Sequence, residues 1–185
     1  MLPTSAEPGT SPRLGLATDS HTRTCLVNQD EGRSPEERLA RQGVKLAKAH
    51  PVVANYAKAV RTGSLLFVSG HGPFVDGKAV FTGKLGADVT VETGREAAKT
   101  VIVNLLGTLK MELGELSRIS RFVKLLVLVN ATPDFAEHHL VADGATDLLV
   151  TAFGEIGRPA RSAVGMASLP FNFSVEIEAV VEIRD

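Results

Sequence analysis

The chain has no tryptophan, one tyrosine and one cysteine in 185 residues. A lone thiol, Cys25, rules out an internal disulfide and makes a reducing, cytoplasmic setting the default expectation. Aromatic residues reach only 5%, too few to build a stacking platform for single-stranded nucleic acid. No charge of one sign is in excess: 20 Lys and Arg stand against 21 Asp and Glu, a formal net charge of -1. A phosphate backbone would find no basic stripe to bind, which disfavours nucleic acid as a partner. Long apolar runs are missing too. The longest, around Leu125–Val129, is strand-sized, so no membrane partner is expected. What remains is 44% apolar residues, the make-up of a globular chain holding one domain, or one domain with a tail.

Residues 1–33 are rich in Pro, Ser, Thr and Gly without a sustained apolar period, and read as a flexible tail or an over-extended start. No apolar stretch here resembles a secretory signal. Glu7, Asp19, Asp30 and Glu31 argue against a transit peptide. Cys25, with no His or basic cluster around it, reads as a spectator thiol.

The domain, residues 34–185, opens at Ser34-Pro35-Glu36-Glu37, a capping box expected to start a helix running to about Ala49. Two short strands follow, Ala54–Val60 and Ser64–Ser69. Gly70-His71-Gly72-Pro73 is a loop whose glycines admit close approach of a ligand to the backbone. Asp76-Gly77 predicts a hairpin turn leading to Ala79–Thr82. A helix from Thr90 to Gly114 buries the stripe Ala98, Val101, Ile102, Leu105, Leu109 and Leu113. Arg121–Val129 reads as a central strand covered on both faces, and Asp134–Phe153 as a second long helix. Two closing strands, Ala160–Leu169 and Val175–Ile183, are expected to form an antiparallel hairpin that sets Arg161 roughly opposite Glu176. The result is an α+β layer with both long helices on one face of a mixed sheet. The other face is left wanting a partner, for which a second copy of the chain is the economical choice.

The segment PARSAVG…LP…VEIEA resembles the C-terminal signature of the RidA family (also YjgF, or L-PSP), the reactive imine/enamine deaminases. The similarity extends to Asn55-Tyr56 through Val60, to Val68-Ser69-Gly70-x-x-Pro73 and to Val127–Phe135. The FTGKLG segment, the ERL helix and the spacing from GEIGR to PARSAVG look like a particular YjgF-like branch distinct from the best-known deaminases. The resemblance implies a chorismate-mutase-like fold and a homotrimer with sites in the clefts between subunits. It also implies a small carboxylate or imino-acid ligand, and no cofactor. In active members an arginine grips the substrate carboxylate and a glutamate orients or activates water. These map onto Arg161 and Glu176, the expected catalytic pair. Tyr56 and Gly70 map onto a substrate-contacting aromatic and a pocket glycine. His71 replaces a pocket-lining glutamine, and Asp143 falls near a motif asparagine; both join the expected substrate-binding set. The family's usual cysteine after Arg-Ser is Ala163.

The chemistry so implied is hydrolysis of 2-imino acids of the 2-iminobutanoate and 2-iminopropanoate class to 2-oxo acids and ammonia. Arg161 would supply a fixed bidentate cation and Glu176 a proton shuttle. Without the resemblance, Arg161 reads as the salt-bridge partner of Glu176 or Glu178, and Tyr56 as an edge-packing aromatic. His71 is the nearest candidate proton donor. No metal is expected, because His71, His138 and His139 lack a ligand spacing. A non-catalytic trimer binding small carboxylates is the alternative, and an endoribonuclease the reading that composition supports least.

Overall fold

The computed structural model describes residues 32–47 and 54–184. Cys25 and nearly all of the expected tail lie outside the described residues. Contacts cluster into one compact unit over Arg33–Asp185.

Helix α1, Pro35–Arg41, begins with the capping box read from the sequence: Glu37 N–H donates to Ser34 Oγ, and Ser34 N–H donates to the Glu37 carboxylate. It stops eight residues before the expected end. Gly43 enters the left-handed region at φ 70°. Gly43 N–H then reaches Ala40 O while Val44 N–H reaches Leu39 O, the double closure of a Schellman motif. The glycine in Gln42-Gly43-Val44 thus outweighs the helical period on either side.

Strands β1 (Ala59–Thr62) and β2 (Leu65–His71) form a tight antiparallel pair. β1 starts later than expected, so Tyr56 lies in the bend before it. Between β3 (Phe74–Val75) and β4 (Lys78–Ala79), Asp76 and Gly77 both take positive φ, 49° and 77°. That is the paired left-handed turn expected of Asp-Gly. Helix α2, Val91–Leu113, is capped by Thr90 at one end and Gly114 at the other, and its predicted stripe is buried throughout. Strand β5 (Ile119–Asn130), helix α3 (His138–Phe153), strand β6 (Ala160–Met166) and strand β7 (Val175–Ile183) complete the domain.

The five-stranded sheet has the order β1-β2-β7-β5-β6, with β5 and β6 parallel and every other pair antiparallel. Helices α2 and α3 pack on one face. The expected β6–β7 hairpin does not form, because β5 lies between the two strands. The cause is the strand–helix–strand unit β5–α3–β6. A helical crossover makes its two strands parallel neighbours, and β7 then takes the remaining slot between β5 and β2. β5 is therefore not covered on both faces within one chain: Phe122, Leu125, Val127 and Val129 are buried, while Lys124, Leu126 and Leu128 on the alternate face are partly exposed.

Candidate functional site

β2 carries an irregularity between Val68 and His71 where it pairs with β7. This bulge brings Gly70 under the side chain of Glu176. A Cβ on Gly70 would lie 2.0 Å from Glu176 Oε1, and one on Gly72 would lie 2.2 Å from the Phe173 ring. Gly70 and His71, expected in a loop, end strand β2, and Gly70 there and Gly72 just beyond it are both needed for close approach, by a carboxylate in one case and an aromatic ring in the other.

These residues border a cavity of about 320 Å³. Tyr56, Lys58, Glu176 and Asn104 line it with polar groups, and Phe74, Phe171 and Phe173 form an aromatic wall. The wall is built edge to face: Phe74 meets Phe173 at 5.1 Å and Phe171 at 6.0 Å between ring centroids. Asn104 spends both amide hydrogens on carbonyls, those of Phe74 (3.0 Å) and Thr100 (2.9 Å), which orients its side-chain oxygen as an acceptor.

Burial raises the pKa of Glu176 above the usual carboxylate value, and the neighbouring Glu178 raises it further. Among the described residues no cation forms an ion pair with it. Burial also lowers the pKa of Lys58. The cavity therefore holds a carboxyl and an amine that are both drawn toward their neutral forms, as expected where protons are exchanged.

His71 is 7% exposed, and both ring nitrogens are engaged. Nδ1 lies 2.7 Å from the Ser69 carbonyl, which can only accept, so Nδ1 carries the proton. Nε2 is then the acceptor for the Thr108 hydroxyl at 2.9 Å. The ring lines the cavity, but its N–H is already spent, so the expected role as proton donor does not fit this geometry. Burial depresses its pKa below the ordinary imidazole value of 6.5. The unfolded chain therefore takes up a proton that the folded one refuses as pH falls from about 6.5 toward the folded value. We expect stability to drop across that window, and His71→Asn to flatten the drop when denaturation midpoints are followed between neutral and mildly acid pH.

Arg161 and Asp143 are brought together, but elsewhere. Arg161 Nη1 donates to Asp143 Oδ1 at 2.9 Å and to Thr146 Oγ1 at 3.0 Å. Arg95 adds a longer contact to Asp143 (3.7 Å) and a close one to Asp147 (2.8 Å). Arg161 pairs with Leu125 and Glu176 with Leu128 across β5. The two leave opposite faces of the sheet, roughly 10 Å apart across the strands and roughly 10 Å along them. The expected Arg161–Glu176 facing pair is thus corrected: it required the hairpin that β5 prevents. His138 is partly buried, with its Nε2 over Gly165 where a Cβ would come within 2.6 Å.

The sequence reading missed Lys58, Asn104 and the three phenylalanines. A lone Asn inside the apolar run Val101-Ile102-Val103-Asn104-Leu105-Leu106 was one usable signal. Two phenylalanines flanking Asn172 in a proline turn were another. Among the described residues, no cluster of three or more His, Cys, Asp or Glu could hold a metal, and no helix is long and apolar enough to cross a membrane.

Comparison with known proteins places this geometry in a family. A family model described as "YjgF/chorismate mutase-like, putative endoribonuclease" matches residues 36–182. The chain is 44% identical over 148 residues to Protein TCP17 of Trypanosoma cruzi, covering 80% of this chain and 92% of that one. The crystal structure of Atu1372 from Agrobacterium tumefaciens, a protein of unknown function, superposes with a TM-score of 0.78. The two are 46% identical, over 87% of this chain and 99% of that one. RidA from the Antarctic bacterium Psychrobacter sp. PAMC 21119 aligns at 25% identity and a TM-score of 0.52, over 74% of this chain and 94% of that one. With its α+β layer, its mixed sheet and a match running from the first helix to the last strand, the chain belongs to the YjgF/chorismate mutase-like family.

Proposed function

We propose that the protein hydrolyses 2-imino acids to 2-oxo acids and ammonia. The observation that carries this reading is Glu176: a half-buried carboxyl of raised proton affinity, set against a backbone with no Cβ, on the wall of a cavity large enough for substrate and water. A carboxyl titrating closer to neutrality can take a proton from water as its oxygen bonds to the imine carbon, and pass it to the nitrogen. The same carboxyl then carries the hydroxyl proton of the carbinolamine to its amino group, the C–N bond breaks as the C=O forms, ammonia leaves and the 2-oxo acid remains.

Among the described residues no arginine borders this cavity, and its one lysine, Lys58, offers a single ammonium in place of a bidentate fork for the substrate carboxylate. We assign the role of that fork to Arg161 of an adjoining copy in a homotrimer. The sheet's open face supports such an assembly. Val60 and Phe67 there are 55% and 47% exposed, and they border a groove of about 450 Å³ together with Leu126 and Val180. An apolar sheet face of this kind is ordinarily covered.

The test is release of ammonia and 2-oxo acid from freshly generated 2-iminobutanoate, with sedimentation to count subunits. Wild type accelerates release as a trimer. Arg161→Ala remains a trimer and loses the acceleration, whereas undiminished turnover by that variant removes Arg161 from the mechanism.

One observation favours a second reading. Asp143 already neutralises Arg161 at 2.9 Å, as it would in a trimer that binds small carboxylates without turning them over. Calorimetric binding of 2-oxo acids with no imine hydrolysis would decide for that reading.

A further inference from the structure

The polar groups of the cavity account for one end of a ligand, while the aromatic wall has no part in the hydrolysis just described. Phe171 is the clearest case. It is 65% exposed, yet it sits at φ 56° and is followed by Asn172 at φ 57°. A bulky residue in the left-handed region is a genuine outlier, and such conformations persist where the surroundings hold them in place. Here they do. Asn172 N–H donates to Leu169 O, Asn172 O accepts from Gly83 N–H, and Asn172 Oδ1 accepts from the side chain of Asn130, which is 1% exposed. Lys84 ties the same buried asparagine to the carbonyl of Ala167. The fold thus fixes a strained turn whose effect is to hold an uncovered phenyl ring beside Phe74 and Phe173 at the cavity edge.

Size points the same way. At ~30 Å³ per water, a cavity of 320 Å³ holds the equivalent of about ten waters. A three-carbon imino acid fills only a fraction of that and leaves the Phe171 ring facing solvent. A ligand with its imine nitrogen at Glu176 and a large flat side chain against Phe171 uses both ends.

We infer that the cavity selects imino acids with large apolar side chains, aromatic above all, over the two- to four-carbon class. For the reacting group this rests on the deaminase reading; for the side chain it rests on the cavity alone. The experiment keeps the two apart. Imines are generated in situ by an amino-acid oxidase from phenylalanine and from alanine, and kcat/KM is compared for wild type and Phe171→Ala. In parallel, calorimetry measures binding of phenylpyruvate and pyruvate to both proteins.

Wild type is expected to favour the phenylalanine-derived imine and to bind phenylpyruvate more tightly than pyruvate. Both preferences should fall by about 10-fold or more in Phe171→Ala, the scale of discrimination that an apolar pocket provides. Turnover of the alanine-derived imine falls by much less than that of the phenylalanine-derived one, because Phe171 meets the side-chain end of the ligand and not the reacting atoms. If neither imine is hydrolysed but phenylpyruvate still binds preferentially and loses that preference in the variant, the deaminase reading falls and this inference stands. Equal binding of the two oxo acids by wild type overturns it, and so does an equal loss for both ligands in Phe171→Ala.

Discussion

Glu176→Gln is expected to lower 2-iminobutanoate hydrolysis by about 10²- to 10⁴-fold, the range that a positioned acid–base group supplies. Glutamine keeps the size of the side chain and the fit over Gly70 but cannot exchange a proton, so the proposed trimer and its 2-oxo acid binding should survive. In wild type the pH–rate profile should carry an inflection above the ordinary glutamate value of 4.5, because burial and Glu178 both push Glu176 upward. The variant should lack it. Mixing adds a sharper reading. Glu176→Gln and Arg161→Ala chains, each inactive alone, are denatured, combined in equal amounts and refolded. If one subunit supplies Arg161 and its neighbour Glu176, random assembly around a threefold axis restores roughly a quarter of the sites. No recovery at all would place both groups' roles within one chain, where they stand on opposite faces of the sheet, and the shared site would have to be abandoned.

The second large effect concerns stability. Phe122→Ala should cost about 3–5 kcal/mol, the usual loss for a buried phenylalanine. Phe122 is fully buried on β5, and its ring meets Phe153 of α3 edge to face at 5.1 Å. It joins the sheet to the helix that forces β6 into place beside β5. Neighbouring side chains are already packed and cannot collapse into the space it leaves. For a chain of this length the loss corresponds to a fall in melting temperature of about 6–20 °C, read at fixed protein concentration because the proposed assembly would shift the midpoint. A change within about 1 kcal/mol would mean that the β5–α3 joint is not where the fold is held.

Local features were legible in the amino-acid order because each is decided by a few adjacent residues. Ser34 and Glu37 satisfy the first N–H groups of α1 themselves, Asp76-Gly77 supplies two left-handed conformations in succession, and the stripe from Ala98 to Leu113 marks the buried side of α2. The alternation of β7 was equally plain. Alternation, however, assigns a residue to a face and says nothing about which strand lies alongside. Neighbours were decided by the helical crossover between β5 and β6, which makes those two parallel and leaves β7 to enter between β5 and β2.

The candidate site divides along the same line. Tyr56, Gly70, His71 and Glu176 were found from the chain's own motifs and their resemblance to a family, and they do meet at one cavity. Only the tertiary structure separated Arg161 from Glu176, gave Arg161 to Asp143, spent both nitrogens of His71 and gathered Phe74, Phe171 and Phe173 into a wall. Those outcomes depend on contacts between residues far apart in the chain, and their geometry exists only once strand order and helix packing are settled. Propensity and pattern therefore determine what each segment is, and long-range packing determines what it faces.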